Sequence, residues 1–460
     1  MGFIVSLGGQ TPLKLAGLLP RELVLGTSPE SIDLAEDRQL WNQLCRKLDI
    51  PQPPGGTAGT TAEALVVANE VGFPVLLRPS YVLGGRAMEI VYDEAGVRRV
   101  MGSLTSGVLD REGGVSSKRP VLVDRFLEDA IEVDVDSVRD IKGEILVAGI
   151  MEHVEEAGVH SGDSACALPP QTLSSAVIAT IDRHTRALAE ALEVVGLINV
   201  QYAVRDGEVF VLEANPRASR TVPFVAKATG VPLAMIAARL MLGTTLEELR
   251  SEGLLPQDAR GSIKVLEYVS VKEAVLPFDR FPGVDSLLGP EMRSTGEVMG
   301  IDKTFGLAFA KSQMAAGTQL PQSGTVFLSL ADRDKPAGLE LAKSFVELGF
   351  SLAATLGTAG YLRHSGVQVQ TLVAKVGEEG MGANAVDLIA NSLVQLVINT
   401  PRGRGSRADG QHIRGAAVVH RVPCLTTIAA ARAAVAGIGD RSVHSLMVRS
   451  LQEIHDWSSA

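Results

Sequence analysis

The sequence has 460 residues, 46% of them hydrophobic, 21% charged and 4% aromatic, with a net charge of −10 from 43 basic and 53 acidic side chains. That length suits roughly three domains with sizeable cores, and the acidic balance and scarcity of aromatics exclude a broad nucleic-acid surface. Cys45, Cys166 and Cys424 lie far apart with no CxxC, which argues against a disulfide framework or a zinc site and fits a reducing cytoplasm.

No apolar run reaches membrane-spanning length. The first residues lack the basic start of a signal peptide. Met1-Gly2 with Ser6 matches a myristoylation pattern in form, but residues 3–7 read as a buried strand. The loop Gly8-Gly9-Gln10 opens a helix with Thr11 as N-cap and Pro12 at the first helical position. A second strand at 23–25 and the turn Gly26-Thr27-Ser28-Pro29, which leads into another helix with acidic residues at its start, complete the tail of a doubly wound unit. One strand–helix–strand cannot bury a parallel sheet by itself, so this segment reads as truncated or as borrowing strands from elsewhere.

The pattern predicts one helix over 33–48, a Pro- and Gly-rich loop over 51–61, a helix over 62–71 and a strand over 74–78. Gly84-Gly85 then sits between strands, flanked by Arg78 and Arg86, as a loop able to cover a polyphosphate or as a plain hairpin turn. Strands come next at 121–126, 131–138 and 145–152. Glu128 and Glu132 flank the first of their turns, where a carboxylate can accept from a ribose or simply be solvated. The polar loop 155–164 carries His160, a phosphate contact or a structural histidine. An amphipathic helix spans 173–194, with Val177, Ile181, Leu188 and Leu192 at helical spacing.

Residues 196–224 carry the densest chemistry. Two β-branched runs, 199–204 and 208–214, flank Arg205-Asp206-Gly207. Glu213 closes an apolar strand, where a lone carboxylate is costly unless paired or metal-bound. A two-residue turn at Asp206-Gly207 pairs Gln201 with Leu212 and puts it on the face opposite Glu213. A three-residue loop with Gly207 left-handed pairs Gln201 with Val211, so that Gln201, Glu213 and Asn215 share one face. Three oxygen donors there suit Mg²⁺ or Mn²⁺, and Arg217 and Arg220 suit phosphate. The alternative is a solvated strand end with surface arginines.

Helices over 222–229 and 233–242 come after it, then a polar connection over 243–257 and a strand over 264–272. Gly, Pro, Gln and Ser interrupt the pattern at 315–323, and a second α/β unit begins. Its strands fall at 326–330, 351–354, 367–373 and 393–398, with loops at 355–358 and 399–403 where parallel sheets bind ligands. Arg402, Arg404, Arg407 and Arg414 form a local basic cluster, a binding feature or solvated surface. With no acid–base pair of its own, this unit reads as binding rather than catalytic.

The strings GGQTPLKLA, RPSYVLGGRAMEIVYDE, GVHSGDSAC, LEANPRASRTVPFVAKATGVPL and FPGVDSLLGPEMRSTGEVMG make the chain resemble the C-terminal half of the carbamoyl-phosphate synthase large chain over nearly all its length. The resemblance implies an α/β and α+β architecture. A truncated doubly wound pre-ATP-grasp segment would occupy 1–30, an ATP-grasp domain 31–242, a connecting helical region 243–320 and a small α/β methylglyoxal-synthase-like allosteric domain 321–460. It implies that Gln201, Glu213 and Asn215 hold divalent ions, two of them. Arg38, Arg78, Arg86, Arg125, Leu127, Glu132, Gly158, Val159, His160 and Ser161 would line ATP with Gln201 and Glu213, and Arg217 and Arg220 would stabilise the transferring phosphoryl group or the carbamate. It further implies phosphorylation of carbamate to carbamoyl phosphate, beside a glutaminase small chain and an N-terminal synthetase half.

Ser329, Lys335, Thr355, Thr358, Lys375, Asn399 and Thr400 resemble the family's pocket for UMP- or IMP-like effectors. Glu155, Asp163, Glu273 and Thr426 match the region where ornithine activates some members. Cys424 stands where some members carry an aromatic residue and Leu356 where some carry histidine, leaving the effector open; Arg125, among the ATP-lining positions, also stands where some members carry histidine. No internal repeat of the two-halved family is present, so the chain reads as a fragment, a split-gene product or a decayed copy. Two alternatives stand beside the ligase: another ATP-grasp carboxylate–amine ligase, and a catalytically silent nucleotide-binding or assembly module.

Overall fold

The structure, a computed structural model, describes residues 2–79, 85, 87–105, 120–264, 267–281, 283–374, 383–400 and 403–455, with backbone alone at 10, 105 and 403–409. Strands β1 (Phe3–Ile4) and β2 (Val24–Leu25) pair in parallel across a helix over Gln10–Ala16. That helix starts one residue before the Thr11 cap the sequence predicts, and Gly9 caps it without a side-chain bond. The helix expected after Ser28-Pro29 forms as Pro29–Glu36, and the helix predicted over 33–48 starts afresh at Arg38, as Arg38–Lys47. The break is Asp37, whose carboxylate accepts from the amides of Gln39 and Leu40. Such a cap stabilises a helix start by about 1 kcal/mol, and here it places Arg38 at the mouth of the second helix.

Strands β3 (Gly55–Ala58), β4 (Val75–Pro79), β5 (Glu89–Val91) and β6 (Val121–Arg125) form an antiparallel sheet in the order β3-β6-β4-β5. The helices Thr61–Val71 and Glu94–Thr105 pack on it through Ala64, Ala68, Val97 and Met101.

Strands β7 (Ile131–Arg139), β8 (Ile145–Glu156), β9 (Cys166–Leu168), β10 (Gly196–Arg205), β11 (Glu208–Asn215), β12 (Val269–Val275) and β13 (Gly296–Asp302) build a seven-stranded antiparallel sheet, ordered β11-β10-β7-β8-β9-β12-β13. The helix Ser175–Ala191 covers one face, burying Val177, Ile181 and Leu188 against Val133, Val200 and Tyr202. Full burial of each such side chain is worth roughly 1.5–3 kcal/mol. On the other face the helices Val222–Thr229 and Leu233–Met241 pack on Val138, Leu146 and Leu197. The stretch predicted as a polar connection over 243–257 instead folds a helix at Leu246–Ser251, with a Thr245–Glu248 capping box and Leu246, Leu249 and Leu255 buried. Its glutamates mask an apolar residue every third position. The strand predicted over 264–272 is shifted to β12, and β13 is an addition to the predicted set.

Strands β14 (Thr325–Leu330), β15 (Ser351–Thr355), β16 (Thr371–Val373), β17 (Leu396–Thr400) and β18 (Cys424–Leu425) form a parallel sheet ordered β16-β15-β14-β17-β18. Val326, Phe327, Leu328, Leu352, Val397 and Ile398 are buried, the continuous apolar runs that a sheet covered on both faces requires. The chain runs from β14 outward through β15 and β16, then crosses to β17 and β18 on the other side, so the strand order reverses beside β14, the place where such sheets open a crevice at their carboxyl ends.

Candidate active site

The β10–β11 hairpin resolves the two turn readings in a third way. Arg205 pairs with Glu208 across a two-residue turn at Asp206 and Gly207, both with positive φ (52° and 81°). Tyr202 accordingly pairs with Val211. The register then shifts, and Gln201 pairs with Glu213, leaving Leu212 as a β-bulge. The extra residue re-aims the side chains beyond it. Gln201, Glu213 and Asn215 therefore do share a face, through a bulge rather than a longer loop.

Period-two alternation extends that face across the sheet. Gln201 lies between Glu213 and Asp134, and Asn199 between Asn215 and Asp136. Asp134, Asp136, His153 and Lys272 are buried, and sequence reasoning misses all four. A signal is present: Glu132, Asp134 and Asp136 place three carboxylates on one face of a valine-rich strand. Asp136 accepts from Ser219 (2.7 Å), Thr221 (2.6 Å) and Asn199 (3.0 Å), pinning the loop that carries Arg217 and Arg220. Burial pushes its carboxyl up to about 6. His153 Nε2 bonds Asp134 at 2.9 Å. Burial disfavours the imidazolium, yet Cys166 and Asp134 hold it well above its ordinary range. Glu132 accepts from the Gly158 amide at 2.9 Å, and burial pushes its carboxyl up to about 7.

The four-stranded sheet delivers arginines to the same place. Arg78 on β4 stands 3.7 Å from Asp124 and 3.6 Å from Glu213, so it spans the two sheets. Arg38 pairs with Asp124, a buried carboxylate on β6 that sequence reasoning also misses. Burial lowers the Arg38 and Arg217 guanidinium values. Arg125 donates to the Phe73 carbonyl, and Leu127 is buried at the start of the next turn. Glu128 lies apart from the cluster and pairs with Arg333 at 3.3 Å. Arg86 lies outside the described residues.

The turn after β8 brings Gly158, Val159, His160 and Ser161 beside the hairpin. Ser161 Oγ accepts from Gln201 Nε2 at 3.3 Å, and its carbonyl accepts from Lys272 at 3.1 Å. His160 Nδ1 accepts from the Gly162 amide at 3.0 Å, and burial lowers its imidazole value. Residues 284–295 close the site from above, with the Gly289 carbonyl on the His160 amide (2.9 Å) and Asp163 accepting from the Arg293 and Ser294 amides.

The donor set suits a hard divalent cation. Gln201 spends its NH₂ on Ser161, leaving its carbonyl oxygen as donor. Asn215 donates to Glu213 at 2.9 Å, and its own oxygen receives Arg217 at 2.9 Å. One carboxylate with two amide oxygens leaves half of an octahedral shell to water and phosphate, as suits magnesium. Arg78 Nε and Arg217 Nε are buried without a hydrogen-bond partner among the described residues, so each guanidinium keeps donor capacity for an anion.

At the second sheet, Ser329, Thr355, Asn399 and Thr400 gather at the carboxyl ends of β14, β15 and β17. The predicted loop 355–358 is instead the start of a helix, Leu356–His364, with Thr355 at its N-cap. Thr358 is buried and accepts from the Leu330 amide at 3.1 Å; Thr400 accepts from that of Ala331 at 3.1 Å. Lys335 pairs with Asp332 at 2.5 Å. Lys375 lies outside the described residues. Of the basic cluster, Arg402 and the side chains of Arg404 and Arg407 lie outside them too, and Arg414 is not surface at all: it is fully buried on Asp285 and Asn399. Glu155 and Glu273 meet in a separate buried cluster, where Glu155 accepts from the Ala165 amide and Glu273 from Gln313, both at 2.6 Å. Burial pushes them up to about 7 and about 8. Asp163 serves the 284–295 segment, and Thr426 is half-buried near β18.

Residues 37–249 match the model of the carbamoyl-phosphate synthase L chain ATP binding domain, and residues 337–426 that of the MGS-like domain. The carbamoyl phosphate synthase large chain, C-terminal section, of Aquifex aeolicus is 51% identical over 470 residues, covering 99% of this chain and 85% of that one. The chain belongs to the carbamoyl phosphate synthase large chain family. Its counterpart is the C-terminal section, since the whole large chain of Gemmatimonas aurantiaca is 52% identical over 99% of this chain but only 40% of its own length. Among solved structures, the biotin carboxylase domain of Hydrogenobacter thermophilus 2-oxoglutarate carboxylase superposes with a TM-score of 0.52 at 17% identity, over 66% of this chain and 70% of that one. At that identity the likeness is one of fold alone.

Proposed function

We propose that the chain binds ATP between its four-stranded and seven-stranded sheets and uses it to phosphorylate carbamate, yielding carbamoyl phosphate and ADP. It would do so as the second synthetase half of a carbamoyl-phosphate synthase serving arginine and pyrimidine biosynthesis. An N-terminal half would supply carbamate and a glutaminase small chain the ammonia. The observation that carries the reading is Arg78, held between Asp124 of one sheet and Glu213 of the other with Nε unspent. A guanidinium so placed meets phosphate oxygens where they meet the carboxylate that would hold a cation.

Gln201, Glu213 and Asn215 would hold Mg²⁺ or Mn²⁺, two ions in the full form of the proposal, whose chemistry is to neutralise charge on the transferring phosphoryl group. The chain's own residues do the rest. Arg38, Arg78 and the 158–161 turn position the nucleotide. Arg217 and Arg220 face the acceptor, and Asp136 fixes their loop through Ser219 and Thr221. Half-buried, His160 has its imidazole value lowered by desolvation, which favours the uncharged ring beside the phosphates. The carbamate oxygen attacks the γ-phosphorus as its bond to ADP breaks, so catalysis is positioning and electrostatics, with no covalent enzyme intermediate. Ser329, Lys335, Thr355, Thr358, Lys375, Asn399 and Thr400 would receive a UMP- or IMP-like effector, its phosphate at helix starts.

The test is ³¹P NMR of the purified chain with MgATP and carbamate, before and after addition of the N-terminal half. Carbamoyl phosphate and ADP should appear in equal amounts, and Glu213→Ala should abolish both. Activity that survives Glu213→Ala sinks the cation site. Binding of MgADP with no turnover under either condition sinks the ligase reading in favour of a silent nucleotide-binding module.

A further inference from the structure

The connection between β12 and β13, residues 276–295, is long for an antiparallel pair, and connections of that length are usually functional. Its last part is tied down over the candidate site. The Gly289 carbonyl accepts from the His160 amide, the Arg293 and Ser294 amides donate to Asp163, and Ser294 Oγ donates to the Gly162 carbonyl at 3.0 Å. Met292 lies on the Arg220 guanidinium, and the Pro290 carbonyl presses on Gly85 of the other sheet's loop. The strap therefore touches both walls of the site at its phosphoryl end.

The near end of the strap is anchored in the regulatory domain. Asp285 receives Arg414 Nε and Nη2, both at 2.6 Å. Arg414 is wholly buried, and its Nη1 donates to Asn399 Oδ1 at 2.8 Å. Asn399 stands at the carboxyl end of β17. A single guanidinium thus spans the distance from the strap to the regulatory pocket.

We propose that Arg414 is a positioning residue. Through Asp285 it holds the 284–295 strap over the nucleotide's phosphoryl end, and through Asn399 it makes that hold respond to what fills the regulatory pocket. The inference rests on the nucleotide site argued above. A bidentate pair whose guanidinium is wholly buried is either made or broken, because opening it strands the Arg414 charge. It therefore behaves as a two-state element rather than a spring. An anionic ligand that accepts from Asn399 Nδ2 and turns the amide toward itself draws Oδ1 away from Arg414 Nη1 and shifts the balance between clasped and open strap.

The experiment uses the full chain with Asp285→Asn and Arg414→Lys. Amide hydrogen exchange without nucleotide should speed about tenfold at His160, Arg293 and Ser294 while the β10–β11 hairpin keeps its rates. Asp285 is 30% exposed, so Asp285→Asn decides the matter even where the buried Arg414→Lys chain does not fold. Unchanged exchange at those three amides in Asp285→Asn overturns the clasp. The second readout is MgADP affinity with and without UMP. The wild-type ratio should differ from one and fall to one in Asp285→Asn. A wild-type ratio of one, or a ratio unchanged in the variant, overturns the coupling to the regulatory pocket. If the wild type binds no MgADP, the nucleotide-site reading falls, and the exchange result still judges the clasp by itself.

Discussion

Asp124→Asn isolates the electrostatic hinge between the two sheets. The carboxylate is buried on β6, touching Arg38 and standing 3.7 Å from Arg78. At an effective dielectric of 20, a pair at 3.7 Å gains about 4.5 kcal/mol by Coulomb's law. Asparagine keeps the volume and loses the charge, so two half-buried guanidiniums face each other without the carboxylate between them. Breaking a buried pair from one side costs about 3–5 kcal/mol. Arg78 retains Glu213 at 3.6 Å, which favours the lower end of that range. At about 2–4 °C per kcal/mol for a domain of this size, the apo transition should drop by roughly 6–12 °C. Nucleotide should act in the opposite sense. The variant has one more net positive charge beside the phosphates, so saturating MgATP should raise its melting temperature more than it raises the wild type's. Differential scanning calorimetry with and without MgATP measures both. An apo transition within about 2 °C of wild type, or a smaller nucleotide shift, refutes the assignment of Asp124 as the group that gathers these arginines.

Two further outcomes come from particular groups. Burial and the neighbouring Glu155 raise the folded-state value of Glu273 from 4.5 to about 8, so its contribution to stability is full below 4.5 and lost as pH rises to about 8. Glu273→Gln should flatten that decline, by at most about 1.4 kcal/mol per pH unit, in urea melts taken from about pH 5 to 8; parallel curves for the two proteins refute it. Gly85 has φ +67°, and a Cβ there would lie 1.8 Å from the Pro290 carbonyl oxygen. Gly85→Ala should weaken MgATP binding about tenfold by calorimetry with little change in melting temperature, and wild-type affinity would show that the loop and strap need not meet.

Sequence by itself determined the local elements and most of the residue types at the site. The Asp-Gly turn between β-branched runs specifies a hairpin, the helical spacing of Val177, Ile181 and Leu188 specifies a buried helix, and unbroken apolar runs specify the parallel sheet. These are readable because each depends on neighbours a few positions away. Residues 37–249 and the long matching strings then carried the family. What the tertiary structure alone decided are the matters set by distant partners. The bulge at Leu212 puts Gln201 beside Glu213, and an unpaired residue of that kind depends on what packs across the sheet rather than on turn chemistry. Asp124 acquires its meaning from Arg38, 86 positions away, and Asp136 from Ser219, 83 away. Arg414 sits in a basic run that reads as a binding feature or solvated surface, yet Asp285, 129 positions away, takes it into the interior. Periodicity reports which face of an element is apolar; only the folded chain reports which charge covers it.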